Sequence, residues 1–307
     1  MAGEFELIDR ITAGLSVHDD VIVPVGDDAA VLRLLGDTVV STDLLVENVH
    51  FKRQWSPARA VGRKAVAVNV SDVEAMGARP RAVVVALAFP RDLDQDWVAE
   101  FEEGVKEECA TAGVDLVGGD LSSAQAVTVC VTALGDLEGR RAVTRSGARP
   151  GEVVAVAGRL GWSAAGLTAL MRGSRSPRDA VAEHLTPSVP YGQGVLASDA
   201  GATSMMDVSD GLLADLGHIA RRSGVGIDID SALLDIPDAV QRVAAATGKD
   251  PLSFVLAGGE DHALVATFRN AAIVPAGWRL IGSVNEQQQV TVDGGAWEGP
   301  AGWDHFA

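Results

Sequence analysis

Cysteine is almost absent from this chain: Cys109 and Cys130 are the only two in 307 residues, with twenty residues between them. That pattern makes neither a disulfide framework nor a zinc site, and two isolated thiols are expected to sit buried or half-buried. Cations are scarce as well. Lys and Arg number 25 against 42 Asp and Glu, a net charge of −17. Such a balance argues against nucleic acid, where Lys and Arg must neutralise phosphates, and against an anionic membrane surface. Long apolar runs are missing too. The longest unbroken one is Ala82 to Phe89, far below the roughly 20 residues that span a bilayer. Met1 to Arg10 carries three acids and no apolar stretch, which is unlike a secretory signal, so a cytoplasmic location is expected. The chain also lacks a G-x-x-x-x-G-K-[ST] loop, an H-R-D segment, a G-x-S-x-G elbow and an H-E-x-x-H pair. Gly224-Val225-Gly226 has no third glycine and reads as a plain turn.

What the chain does have is acid in five short motifs, each after or within an apolar stretch. They are Gly26-Asp27-Asp28, Ser41-Thr42-Asp43, Asn69-Val70-Ser71-Asp72, Gly118-Gly119-Asp120 and Asp207-Val208-Ser209-Asp210-Gly211, and no Lys or Arg falls inside any of them. Gathered carboxylates repel one another unless positive charge lies between them. Hard oxygen donors of this kind suit Mg²⁺, which takes a few carboxylates and completes its octahedron with water and substrate phosphates. Any single Asp after a strand has an ordinary reading as a helix cap or turn former. Five together are harder to read that way, because several add a second oxygen: two hydroxyls precede Asp43, and Asp207 and Asp210 bracket Ser209. The glycines before Asp120 have no Cβ and would let a nucleotide approach the backbone. A polymetal phosphate site is the expectation, and bound metal would reverse the sign of the local field.

The apolar pattern implies a mixed α/β architecture. Val21–Val25, Thr38–Val40, Val83–Phe89 and Val127–Leu134 read as strands. Asp94–Ala112 reads as a helix, with Trp97, Phe101, Val105 and Cys109 at four-residue spacing and Gly113 as its stop. Pro57–Met76 is ambiguous: its valines suggest a strand, its length and the stop at Gly77 favour a helix, and a helix would put Asn69, Asp72 and Met76 on one face. An arginine-bearing, turn-rich stretch from Gly135 to Gly151 suggests a domain boundary, giving domains 1–138 and 139–307. The second half restarts with a strand at Glu152–Ala157, a helix after Gly161, and a strand-to-helix unit over Met205–Ser223 in which Asp210 could cap the helix.

The order of these motifs resembles a known family. Gly26-Asp27-Asp28-Ala29-Ala30, Ser41-Thr42-Asp43, Val49-His50-Phe51 and Asn69-Val70-Ser71-Asp72 are followed by Ala75-Met76-Gly77-Ala78 and Gly118-Gly119-Asp120. Then come Asp207-Val208-Ser209-Asp210-Gly211-Leu212, Ala257-Gly258-Gly259-Glu260-Asp261 and the closing Gly302-Trp303-Asp304-His305-Phe306. From about Phe5 onwards the chain resembles the bacterial thiamine-monophosphate kinase family, within the superfamily of aminoimidazole ribonucleotide synthetase. The resemblance implies a two-domain α/β protein that dimerises through its N-terminal domains. It implies transfer of phosphate from ATP to thiamine monophosphate with several Mg²⁺ ions. Asp27, Ser41, Thr42, Asp43, Asp72, Asp120, Asp207 and Asp210 resemble the family's metal ligands, with Asp43, Asp72, Asp120 and Asp210 central to catalysis. Gly119, Asp120, Arg145 and Ser209 resemble ATP contacts; His50, Glu260 and Trp303 resemble substrate contacts. The site is expected to draw on both domains.

The implied chemistry fits the composition. A phosphate monoester is largely dianionic at neutral pH and needs no general base to attack phosphorus. Repulsion between two polyanions is what opposes transfer, and metal ions offset it while fixing an in-line geometry. Direct transfer without a phosphoenzyme is expected. For the substrate's cationic thiazolium, an aromatic face such as Trp303 or a carboxylate such as Glu260 is suited. The chain departs from the family pattern at two positions. Glu102 stands where an aromatic residue is usual near the adenine, leaving the base to Phe101 or the backbone, and Trp162 stands where an acid is expected. Rival readings are an aminoimidazole ribonucleotide synthetase-like ligase and a non-catalytic nucleotide-binding regulator. A selenophosphate synthetase would need a reactive residue near the N-terminus, where no Cys precedes Cys109, and the hydrogenase-maturation relative would end in Cys rather than His305-Phe306-Ala307.

Overall fold

The structure, a computed structural model, describes residue 15, residues 17–26 and residues 29–302. Asp27 and Trp303 therefore lie outside the described residues. The chain divides into two compact units: residues up to Val73 with Ala78–Gly139, and Glu74–Gly77 with Arg140 onwards.

In the first unit, β1 (Val21–Val23) and β2 (Val31–Leu32) form a small antiparallel pair. β3 (Thr38–Val46), α1 (Ala58–Ala75), β4 (Arg79–Phe89), α2 (Gln95–Ala112), β5 (Asp115–Ser123) and β6 (Thr128–Asp136) follow. The four longer strands make one sheet in the order β3-β6-β4-β5, antiparallel except for the β4–β5 pair. The Pro57–Met76 ambiguity resolves as a helix. Val61, Ala65, Val66, Ala67, Val68 and Val70 are all buried and lie on several sides of α1, so its apolar residues are not confined to one stripe and the 3.6-residue period is hidden. α2 follows the expected spacing: Asp94 accepts from the Asp96 N–H at its start, and Gly113, in the left-handed conformation at φ 68°, ends it. The two helices come together backbone to backbone. A Cβ at Gly104 would stand 2.0 Å from the Arg59 carbonyl oxygen, and one at Gly62 would stand 2.1 Å from that of Phe101. Arg59 and Arg63 bind Glu107 and Glu108 alongside, at 2.9 and 2.8 Å.

The second unit holds β7 (Val153–Ala157), α3 (Trp162–Met171), α4 (Arg178–Leu185), α5 (Gln193–Asp199), β8 (Ser204–Val208), α6 (Leu212–Ser223) and β9 (Gly226–Ile229). After these come α7 (Asp238–Thr247), α8 (Pro251–Ala257), β10 (Ala263–Phe268), β11 (Trp278–Asn285) and β12 (Val290–Val292). Its strands form a six-stranded sheet in the order β12-β9-β11-β7-β10-β8. β8 and β10 are buried at every position, so they read as continuous apolar runs rather than alternating ones. On the β8–α6 side, Val208, Leu212, Leu216, Ile219 and Val265 pack into the main core. Gly224 closes α6 in the left-handed conformation at φ 69°, as expected of a plain turn before β9. No described helix is long and apolar enough to cross a membrane.

Candidate active site

β3 and α1 bring together the first acidic cluster. Side chains alternate along a strand, so Ser41 and Asp43 share a face. That face meets α1: the Ser41 hydroxyl donates to Asp72 Oδ2 at 2.6 Å, and the Asp43 N–H donates to Asn69 Oδ1 at 2.8 Å. Asn69 is held in turn through Nδ2 on the Ala65 carbonyl at 2.8 Å. Asn69 and Asp72, one helical turn apart, thus grip two strand residues spaced by two. Asp43 is exposed and Asp72 half-buried. Thr42 lies on the other face, where its hydroxyl donates to Val131 O at 2.9 Å and accepts from Thr132 at 3.2 Å. Strand geometry therefore separates the three successive oxygens of Ser41-Thr42-Asp43.

His50 stands in the turn that leaves β3. Its Nδ1 accepts the Val46 N–H at 3.0 Å, which makes the ring neutral with its proton on Nε2. The ring is thereby prepared as a hydrogen-bond donor, the form that suits a phosphate oxygen.

Gly118-Gly119-Asp120 lies on β5, the opposite edge of the same sheet, with Gly119 and Asp120 exposed. The register forms one row, Asp43–Val131–Val85–Gly119. Three strand spacings of ~4.8 Å separate its ends, about 14 Å. No single ion joins Asp43 and Asp120 across that distance within one sheet. Gly119 is required locally, because a Cβ there would stand 2.2 Å from the Val85 carbonyl oxygen. Beside it an apolar slot opens between β4, β5 and α2, lined by Val85, Leu87, Val98, Phe101 and Val105, with Gly118 to Asp120 and Glu102 also on its wall. Phe101 is 3% exposed and stacks on Trp97, centroids 5.6 Å apart; Glu102 is ion-paired with Lys106.

In the second unit the end of β8 and the start of β10 run side by side. This pairs Asp207-Val208-Ser209-Asp210 with the loop Gly258-Gly259-Glu260-Asp261-His262. The Glu260 N–H donates to Ser209 O at 2.7 Å and the His262 N–H to Val208 O at 2.9 Å. Asp207 is buried, with His262 Nδ1 at 3.1 Å from its Oδ2. Glu260 and His262 both have positive φ, 62° and 51°, a conformation side chains rarely adopt unless their surroundings hold it. Asp210 does not cap α6. That work falls to Asp215, whose Oδ2 accepts the N–H groups of Asp210 and Gly211, each at 3.1 Å. Burial, with Asp207 and Asp210 nearby, pushes the Asp215 carboxyl up to about 7. Arg145 is exposed on the segment before β7, with its carbonyl accepting from the Ser223 hydroxyl at 3.3 Å. Trp162 begins α3 with the Arg159 guanidinium 4.9 Å over its ring, and packs on the cluster of Val240, Val243 and Phe254. Its aromatic character thus serves packing.

Among the described residues, no three His, Cys, Asp or Glu side chains gather as a ready-made metal site. The donor chemistry nonetheless suits a hard cation. Hydroxyl and carboxylate oxygens meet at Ser41 and Asp72, Asp43 stands on the same strand face, and Asp120 and Asp210 carry no ion pair among the described residues.

The family described as AIR synthase related protein, N-terminal domain, matches residues 26–137, and its C-terminal domain matches residues 149–294. The chain is 48% identical over 307 residues to the thiamine-monophosphate kinase of Mycobacterium tuberculosis, covering 99% of this chain and 92% of that one. The chain belongs to the thiamine-monophosphate kinase family. Among solved structures, the family's enzyme from Stenotrophomonas maltophilia is 34% identical with a TM-score of 0.85, covering 96% of this chain and 98% of that one. AaThiL complexed with AMPPCP and TMP is 36% identical with a TM-score of 0.80, covering 99% and 97%. The two-domain α/β fold expected from the motifs is that of the family.

Several residues around the candidate site had no motif to announce them. Asp215 was hidden inside a helix, where one more acid reads as solvated surface. His184 and Ser163 lie far from the acidic motifs in sequence, and only in the fold does Ser163 meet His184 and His184 approach Glu260. His262 follows Glu260-Asp261 directly, and its pairing with Asp207 was implied only by the strand register that sets β10 beside β8.

Proposed function

We propose that the chain phosphorylates thiamine monophosphate, transferring the γ-phosphate of ATP directly to the monoester and releasing ADP and thiamine diphosphate. The observation that carries this reading is the Ser41–Asp72 and Asp43–Asn69 lattice on the sheet. It presents hard oxygen donors beside exposed carboxylate. Its support from likeness is the near-full-length identity to curated kinases and to a structure solved with AMPPCP and TMP. Ser41, Asp43, Asp72, Asp120, Asp207 and Asp210 would hold Mg²⁺, with Asp27 completing the set; Thr42, which the family resemblance also implies, has its hydroxyl on the opposite face of β3 and is left outside it. Bound Mg²⁺ would supply charge neutralisation between the two polyanions. The chain's own groups do the rest. His50 donates from Nε2 to a phosphate oxygen, Arg145 contributes positive charge at the nucleotide phosphates, and Ser209 and Gly119 offer polar and main-chain contacts. Glu260, with Trp303, receives the thiazolium. The apolar slot beside Gly119 takes the adenine against Phe101, and Glu102, unable to stack, accepts from the exocyclic amine.

The protein acts as a homodimer in this reading, in the cytoplasm, with no nucleic-acid or membrane partner. The support for dimerisation is the open face of β3, where Val40 and Leu44 are 61% and 49% exposed.

Purified protein given ATP, Mg²⁺ and thiamine monophosphate should form thiamine diphosphate, separated chromatographically from its substrate. No product while ATP still binds would reject the kinase reading and favour a regulatory nucleotide-binding role. Asp120→Asn should reduce turnover by at least about a thousandfold with an unchanged melting temperature, since it removes charge placed at the reacting phosphates. Survival of turnover would remove Asp120 from the metal set.

A further inference from the structure

We propose that Ser163 and His184 are positioning residues that aim the Glu260 carboxylate at the cationic ring of the acceptor. The inference rests on the reading of Glu260 as a substrate contact. Neither residue belongs to an acidic motif, and neither touches the phosphates in that reading. The two meet in the interior. Ser163 is 1% and His184 6% exposed, and Ser163 Oγ lies 3.0 Å from His184 Nδ1. The same Nδ1 lies 3.5 Å from Glu260 Oε2.

These contacts form a closed ring. Asp261, next to Glu260 in the chain, accepts the Gly161 N–H at 2.5 Å and the Ser163 N–H at 2.9 Å at the start of α3. Ser163 is therefore the corner of the ring: its N–H fixes Asp261, and its hydroxyl fixes the imidazole that faces Glu260. The loop's backbone is pinned on its other side by the Glu260 N–H on Ser209 O. Backbone contacts alone fix where Glu260 starts and not where its carboxylate ends, since three side-chain torsions intervene. A half-exposed Glu, 32% accessible here, would otherwise lose that rotamer freedom only when substrate binds. In the proposed arrangement Nδ1 carries the proton and is hydrogen-bonded to Ser163 Oγ at 3.0 Å, while Glu260 Oε2, 3.5 Å away, is drawn toward the same N–H edge, which selects one direction for the carboxylate. Ordering done in advance lowers the cost of binding.

The test compares Michaelis constants for the two substrates. His184→Leu keeps the buried volume and deletes the donor. It should raise the KM for thiamine monophosphate several-fold, up to about tenfold, as expected for loss of one polar contact that orients a charged group. The KM for ATP should not move. His184→Asn, whose amide nitrogen can take the place of Nδ1, should return the value to near wild type, and a merely structural role would give no such rescue. Ser163→Ala provides a second route if the leucine variant folds poorly, because its N–H contact to Asp261 survives. Glu260→Gln should raise the same constant, and adding His184→Leu to it should make matters no worse. If Glu260→Gln has its effect while His184→Leu and Ser163→Ala have none, or if the effects of His184→Leu and Glu260→Gln simply multiply, the positioning role is wrong. If Glu260→Gln itself leaves the constant unchanged, the assignment of Glu260 fails first, and the positioning role with it.

Discussion

Asp261 shows how a single side chain can be pulled in two directions. Burial pushes its carboxyl up to about 7, while the N–H groups of Ser163 and Gly161 and the nearby His262 favour the charged form and pull it down. A carboxyl with a folded pKa above its unfolded value of 3.8 keeps a proton in the fold that the unfolded chain has already released. Its contribution to stability is fully present below about pH 4, declines as pH rises to about 7, and is constant above that. Asp261→Asn cannot titrate. Urea unfolding of both proteins between pH 5 and 8 should therefore show the wild type losing stability relative to the variant as pH rises, by a few kcal/mol, roughly the scale of 1.36 kcal/mol per pKa unit. Parallel curves would mean that the two N–H donors keep Asp261 ionised throughout. At this scale the sequence was informative about residue type and silent about partners. Asp43, Asp72 and Asp207 were recognisable as acids in motifs, but the Asn69, Ser41 and His262 contacts that orient them depend on which strand lies beside which element.

The crossing of α1 and α2 belongs to the next scale, and two glycines make it possible. Gly62 faces the Phe101 carbonyl and Gly104 the Arg59 carbonyl, each closer than any Cβ can come. Gly104→Ala must push the helices apart, which strains the sheet contacts of both. Overpacking of this kind costs about 1–3 kcal/mol, and the alanine's better helix propensity returns at most about 1. The denaturant midpoint should fall accordingly, and an unchanged midpoint would mean that the helices separate without cost. The elements themselves were largely legible. Spacing marked α2 and its Gly113 stop, and β-branched runs marked β4, β6 and β7. α1 was harder because its valines are buried on every side, which erases the period that identifies a helix. Strand alternation also changed the meaning of Ser41-Thr42-Asp43, since adjacency in sequence sends Thr42 to the opposite face. At Asp210 the expected cap was displaced by Asp215, one helical turn later, whose longer reach back to two N–H groups no local motif could indicate.

For the whole molecule, the open question posed by the surface is what covers the outer face of β3. Val40, Thr42 and Leu44 point away from α1, and the register sets them beside Leu134, Thr132 and Cys130 on β6. Val40 is 61% and Leu44 49% exposed, while Leu35 and Val49, at 76% and 65%, flank the strand in sequence. Scattered apolar residues on a surface need no explanation, but a strand face with two large ones beside further apolar neighbours is how a protein–protein contact looks. A second copy of the chain is the occupant proposed above, and its charge makes the idea testable in a particular way. Two copies at −17 each repel one another. An interface held by apolar area should therefore tighten as salt screens that repulsion, whereas one held by ion pairs would loosen. Light scattering should give about twice the 31.8 kDa chain mass, with dissociation on dilution suppressed by added salt. Leu44→Glu places a further charge in the centre of the face. Because Leu44 is half exposed in the single chain, the substitution should change folding stability by only about 0.5 kcal/mol. It should nonetheless shift the protein to monomer. A variant that folds normally and still scatters as a dimer would place the contact elsewhere on the molecule, and the apolar face of β3 would need a different partner.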